Sequence, residues 1–147
     1  MEYKIGNKDD LIGILELLKQ LSEKADFSEN NDLEYINKIW DKIENSNIKY
    51  FLAKDNNKII GSCYICIIPN LTYNGKSIGY IENVIVNKNY RKLGIGKKIM
   101  EMVIEYAKEN NCYKVVLQSG IKRIEAHKFY EKIGFNGESK KAYELRF

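Results

Sequence analysis

Val84-Ile85-Val86-Asn87-Lys88-Asn89-Tyr90-Arg91-Lys92-Leu93-Gly94-Ile95-Gly96-Lys97-Lys98 is the stretch on which the reading of this chain turns. An apolar strand passes through a basic loop carrying two glycines into a helical pattern from Gly94 to Asn110. That pattern places Ile95, Ile99, Met102, Val103 and Tyr106 on one face and Lys97, Lys98, Glu101, Glu105 and Lys108 on the other. The start of a helix presents unpaired N–H groups and a partial positive charge. Gly94 and Gly96 let the backbone approach a ligand, and Arg91, Lys92, Lys97 and Lys98 add charge. This is the chemistry of an anion site, for which pyrophosphate is the natural guest; taken alone, an ordinary strand-to-helix turn explains the loop equally well. Ile99 stands where a G-x-G-x-x-G motif needs its third glycine, and no Gly-Lys-Ser/Thr follows, so the two common nucleotide motifs are excluded.

Working outward, Ser77 to Val86 is the last of three strands with period-two character. Tyr50 to Lys54 and Ile59 to Ile68 precede it as a hairpin closed by Asn56-Asn57. Upstream, Glu2 to Ile5 reads as a strand, and Asn7 to Asp10 supplies capping chemistry for a helix carrying Leu11, Ile14, Leu15, Leu18 and Leu21. A second helix carries Leu33, Ile36, Ile39, Trp40 and Ile43. Downstream, Val115 to Gln118 reads as a strand, Ile124 to Ile133 as a short helix ended by Gly134, and Ala142 to Phe147 as a closing strand. The order predicts an α/β fold: a mixed, mostly antiparallel central sheet flanked by helices, in one domain over residues 1–147.

The 147 residues hold 44% hydrophobic and 30% charged side chains, which suits a chain that buries its own core and excludes intrinsic disorder. No run reaches the ~18 apolar residues of a membrane span. Glu2, Lys4 and Lys8 leave no room for a secretory leader, so a cytoplasmic protein without a membrane partner is expected. Cys63, Cys66 and Cys112 cannot all pair. Cys63-x-x-Cys66 puts its thiols on opposite faces of a strand, so no metal site is expected. The net charge of +4 divides into −3 over residues 1–73 and +7 over residues 74–147, which favours an anion on the C-terminal half. A solvated lysine-rich surface has the same composition.

Some 30 residues past the glycine loop comes Arg123-Ile124-Glu125-Ala126-His127-Lys128-Phe129-Tyr130-Glu131-Lys132-Ile133-Gly134-Phe135. Arg91-x-x-Gly94-x-Gly96 opening a helix, followed by Ala126-x-x-Phe129-Tyr130-Glu131-Lys132-x-Gly134-Phe135, resembles the GNAT family of N-acetyltransferases. The match is strong over roughly residues 77–135 and topological before that. The resemblance implies acetyl-coenzyme A as co-substrate, with no metal required. Its pyrophosphate would rest on the backbone of Arg91, Lys92, Leu93, Gly94, Ile95, Gly96 and Lys97. Its pantetheine arm would pair with the backbone of Val84, Ile85 and Val86, where that strand splays from its parallel neighbour, and Ala126 and Phe129 would complete the site.

Tyr130 matches the tyrosine that protonates the departing thiolate, and Glu82 stands where many members carry a carboxylate that takes the amine's proton through water. The imperfect alternation of Ile81 to Val86 leaves room for a bulge that re-aims Glu82. Against these roles stand a packing aromatic and a solvated glutamate. His127, the one histidine, has no fixed role in the pattern, and Arg123 replaces an asparagine often found there. The expected reaction is acetyl transfer to a primary amine of a small molecule or peptide, by direct attack in a ternary complex. Glu23, Asp26, Glu29 and Asp32 prompt the expectation of a cationic acceptor, oriented by the two N-terminal helices and by Leu71 to Gly75. The rival is a non-catalytic acyl-coenzyme A-binding module. A nucleic-acid partner is disfavoured, because the basic residues gather at one loop without interleaved aromatics. Family members often dimerise through late strands, which makes Ala142 to Phe147 a candidate homodimer interface.

Overall fold

Alternating apolar residues need a partner strand, and four successive strands of this chain find theirs in sequence order. In the computed structural model, which describes residues 1–21 and 33–147, β1 (Glu2–Ile5), β2 (Ile48–Asp55), β3 (Lys58–Ile68) and β4 (Ser77–Val86) form an antiparallel meander. β5 (Cys112–Leu117) joins as a parallel neighbour of β4, giving the order β1-β2-β3-β4-β5. The mixed, mostly antiparallel sheet expected from the sequence is the observed one. Asn56 and Asn57 make the tight β2–β3 turn with φ of 45° and 64°, left-handed values that asparagine tolerates better than most residues.

The chain divides into two compact units, residues 1–116 and 117–147. In the first, α3 (Ile95–Glu109) lies on one face of the sheet, against Phe51, Gly61 and Gly79. A Cβ on Gly61 would sit 2.7 Å from Ile99 Cδ1, so only glycine admits the helix this close. α1 (Leu11–Leu18) and α2 (Leu33–Glu44) contribute Leu11, Ile14, Leu17, Leu18 and Trp40 to a second apolar cluster with Tyr50, Leu52, Ile59 and Ile85 on the other face. Ahead of α1, Asn7 accepts from the Asp9 N–H at 3.0 Å, and Asp10 accepts from the Asn7 N–H at 3.1 Å. Glu23, Asp26, Glu29 and Asp32, with the loop they occupy, lie outside the described residues.

The second unit holds α4 (Ile124–Lys132), ended as expected by Gly134 at φ 105°, with the Phe135 N–H returning to the Tyr130 carbonyl at 3.0 Å. The closing strand expected over Ala142 to Phe147 does not form. Tyr143, Leu145 and Phe147 are exposed instead. Their alternation supplies a strand's side-chain pattern, but a strand exists only through ladder bonds, and this segment makes none among the described residues. β5 also begins at Cys112 rather than Val115, because the Asn111 carbonyl takes the Ser77 N–H at 3.1 Å and starts the pairing early. Among the described residues no helix is long and apolar enough to cross a membrane.

Candidate active site

β4 carries the first feature of the site. The register pairs Tyr64 with Glu82 and Ser62 with Ile85, so Cys63 faces both Asn83 and Val84, and Asn83 takes a left-handed φ of 54°. This is a β-bulge, at the place where the apolar alternation faltered. It puts Glu82 and Ile85 on the same face, that of α1 and α2, where an unbroken strand would have paired Glu82 with Val84 and Val86. Glu82 is half-buried between two tyrosines. Tyr80 precedes it by two residues on the same face of β4, and Tyr64 stands opposite across the ladder. Burial first, then the Glu82 charge, push both phenols above the ordinary value of 10.

Four residues beyond Glu82, β4 ends and the basic loop begins. Asn87 is buried; its N–H reaches the Ile60 carbonyl at 2.8 Å, and its side chain accepts from the Asn89 N–H at 3.0 Å, which anchors the loop to β3. Arg91 donates from Nε to the Val86 carbonyl at 3.2 Å. Lys92 and Gly94 adopt left-handed φ of 65° and 79°, turning the backbone onto α3 with no side chain capping the helix start. Nothing lies within 4 Å of the place a Gly94 Cβ would occupy, so the space above the loop is open, and it is the positive φ that selects glycine. Arg91, Lys92, Leu93 and Gly94 are exposed, as are Lys97 and Lys98, whose ammonium groups stand 3.8 and 3.9 Å from Glu101. Ile95 differs: its side chain is buried against Gly61, so its contribution is the backbone N–H alone. An uncapped helix start, open space and a cluster of exposed basic side chains fit a pyrophosphate.

In the second unit α4 carries Ala126, Phe129 and Tyr130, and Tyr130 is buried. Its ring meets Phe129 at 5.3 Å and Phe135 at 6.0 Å, both edge-on. His127 Nε2 lies 2.9 Å from the Gly120 carbonyl, a tie within the loop that precedes the helix. Within the first unit the structure therefore brings together the predicted residues from Glu82 to Lys97. The sequence reading missed Tyr50, Tyr64, Tyr80 and Asn83, since aromatics on strands read as core; the signal that pointed to Asn83 was the broken alternation. Cys63 is buried, which raises its thiol pKa, and all three cysteines are free. Among the described residues no cluster of ligating side chains is arranged to hold a metal ion.

A meander extended by one parallel strand, with an uncapped basic helix start beyond a bulged β4, is the arrangement seen in acetyltransferase folds. Residues 14–135 match the model of the acetyltransferase (GNAT) family, and the chain belongs to that family. The family takes its acetyl group from acetyl-coenzyme A, and the chain is an N-acetyltransferase. It is similar to a glucosamine 6-phosphate N-acetyltransferase of Trypanosoma brucei brucei, 34% identical over 142 residues that cover 95% of this chain and 92% of the relative. The fold matches a Trypanosoma brucei acetyltransferase structure at 30% identity and a TM-score of 0.83, with 99% of each chain covered. It also matches the glucosamine-6-phosphate N-acetyltransferase of Arabidopsis thaliana at 25% identity and a TM-score of 0.80, again over 99% of each chain.

Proposed function

We propose that this chain, acting as one catalytic domain, transfers acetyl from acetyl-coenzyme A directly to the primary amine of a small molecule, with a hexosamine phosphate as the first acceptor class to try. The observation that carries the reading is the sequence of features on one segment. The bulge presents Glu82, and the same strand then feeds the uncapped, basic start of α3. A binding module has no need of a carboxylate held between Tyr64 and Tyr80. The names of the similar proteins support an amino-sugar phosphate as acceptor.

In this reading the thioester supplies the acetyl group. The amine nitrogen attacks the carbonyl carbon, the C–N bond forms and the C–S bond breaks. Glu82 takes the proton the nitrogen sheds, directly or through water, and the Tyr130 hydroxyl returns one to the thiolate. Arg91, Lys92 and Lys97, with the N–H groups of Leu93 to Gly96, bind pyrophosphate, and the Val84 to Val86 backbone orients the arm; Ala126 and Phe129 keep the cofactor-binding role that the family resemblance gives them. Exposure of Tyr143, Leu145 and Phe147 supports a homodimer covered at this segment. Light scattering of the chain truncated after Lys141 tests that point.

Calorimetric titration with acetyl-coenzyme A, on wild type and on a variant with bulkier residues at Gly94 and Gly96, tests the reading. Micromolar binding that the variant loses upholds the donor site and opens an amine screen led by hexosamine phosphates. No binding at millimolar ligand overturns it.

A further inference from the structure

Glu82 has a braced aromatic ring for a neighbour. The register aligns Tyr50 of β2, Tyr64 of β3 and Glu82 of β4 in one row across the sheet, on the face of α1 and α2. Directly opposed residues of an antiparallel pair hold their Cβ atoms about 4.5–5.5 Å apart, so the Tyr64 and Glu82 side chains start side by side. Behind Tyr64 stands a run of rings: its centroid lies 5.3 Å from that of Tyr50, and Tyr50 lies 5.6 Å from Trp40 of α2. Trp40 and Tyr50 are buried, whereas Tyr64 packs against the same apolar cluster and keeps part of its surface in solvent. Tyr80, two residues before Glu82, shares its row with Cys66 and Ile48, so Tyr64 is the neighbour that rings hold in place.

A half-exposed ring braced by two buried ones is a pre-ordered contact surface that loses little freedom when a ligand meets it. The carboxylate beside it is the one charge of the row, and it draws in the acceptor amine as its ammonium and fixes where the nitrogen goes. The carbon skeleton bearing that nitrogen is then set against Tyr64. A saturated ring offers an aromatic one a rigid face of C–H groups, while an open chain must give up several rotors to make the same contact. We propose that Tyr64 is a specificity-determining residue of the acceptor site, selecting amines borne on a saturated ring, the amino-sugar class, over open-chain amines. This rests on the role given to Glu82 above.

The test compares the best ring-borne and the best open-chain amines of the screen, starting from glucosamine 6-phosphate and phosphoethanolamine. Each of these is a primary amine with a phosphate monoester, one on a ring and the other on a chain. Wild type is expected to favour the ring amine in kcat/KM. Tyr64→Phe keeps the ring and should keep that preference within about 2-fold, whereas Tyr64→Ala should reduce it about 5- to 10-fold, the worth of one aromatic contact. Tyr64→Leu, bulky enough to cover Tyr50, should reduce it likewise. Both amines are assayed on one preparation, so a loss of folded enzyme cancels in the ratio. A wild type that favours the chain amine, or Ala and Leu variants that keep the wild-type ratio, overturns the proposal while acetyl transfer by wild type leaves the functional reading standing. A wild type inert toward every amine overturns that reading itself.

Discussion

The two faces of the central sheet are built to opposite rules. Beneath α3 the sheet offers Phe51, Ala53, Cys63, Ile65 and Ile81, met from the helix by Ile95, Ile99, Met100 and Val103, all of them buried apolar side chains. Beneath α1 and α2 the same strands offer Tyr50, Ser62, Tyr64, Tyr80, Glu82 and Asn83. There Trp40 Nε1 and Ser62 Oγ are buried without a hydrogen-bond partner among the described residues, and the Asp10 carboxylate is buried beside two lysines. The α3 face gains only by excluding water. The other face tolerates polar groups that cost stability, and on the reading given above it does so because the acceptor's chemistry takes place there. Removing the Glu82 carboxylate should therefore affect rate, and removing an apolar side chain between α3 and the sheet should affect stability.

Glu82→Gln gives the largest contrast. On the proposed mechanism it lowers kcat/KM by about 100- to 10,000-fold, the usual worth of a general base, while leaving the denaturant midpoint close to wild type. Steady-state kinetics and urea unfolding on one preparation check both halves. Met100→Ala reverses the pattern. Met100 projects from α3 and is fully buried, so the cavity should cost about 2–5 kcal/mol of unfolding free energy, with acetyl-coenzyme A affinity retained by the folded protein.

These opposed rules were only half legible in the sequence. The α3 face could be read, because its helix repeats apolar residues at the right period and its strands alternate. The loop after β4 was legible as well, since Gly94 at φ 79° marks a backbone requirement that the residue type itself announces. The polar face was legible only at Glu82 and in the suspicion of a bulge. Which residue bulges depends on how β4 slides against β3, and that Tyr64 faces Glu82 is a fact of pairing that no single segment contains. Ala142 to Phe147 failed for the same reason in reverse: its alternation was real, and the ladder partner was missing.

Asp10 sharpens the comparison through pH. Burial alone would raise its pKa, but Lys4 at 2.8 Å, the Asn7 N–H at 3.1 Å and Lys54 at 3.0 Å together bring it below the ordinary 3.8. The folded protein thus binds this proton less readily than the unfolded chain. The stabilisation is complete above the unfolded value and is lost as pH falls through the lower folded one. Asp10→Asn should cost about 1–3 kcal/mol at pH 7, and the gap between variant and wild type should narrow as urea melts are taken below pH 4. A gap that stays constant with pH would assign Asp10 a packing role only.

Ser62 is the smallest effect and the most direct test of the contrast. It lies in the row between Leu52 and Ile85, wholly buried, and its hydroxyl has no partner among the described residues. On the α3 face, trimming a fully buried side chain always removes favourable contacts. Here Ser62→Ala removes a polar atom that was taken out of water without compensation, so the unfolding free energy should hold or rise by up to about 1 kcal/mol. The gain is small because alanine leaves a slight void where the oxygen was. Chemical denaturation at pH 7 resolves the sign. A loss of more than about 1 kcal/mol would mean that the hydroxyl is satisfied by an internal water, and that this face carries fewer uncompensated polar groups than the contrast requires.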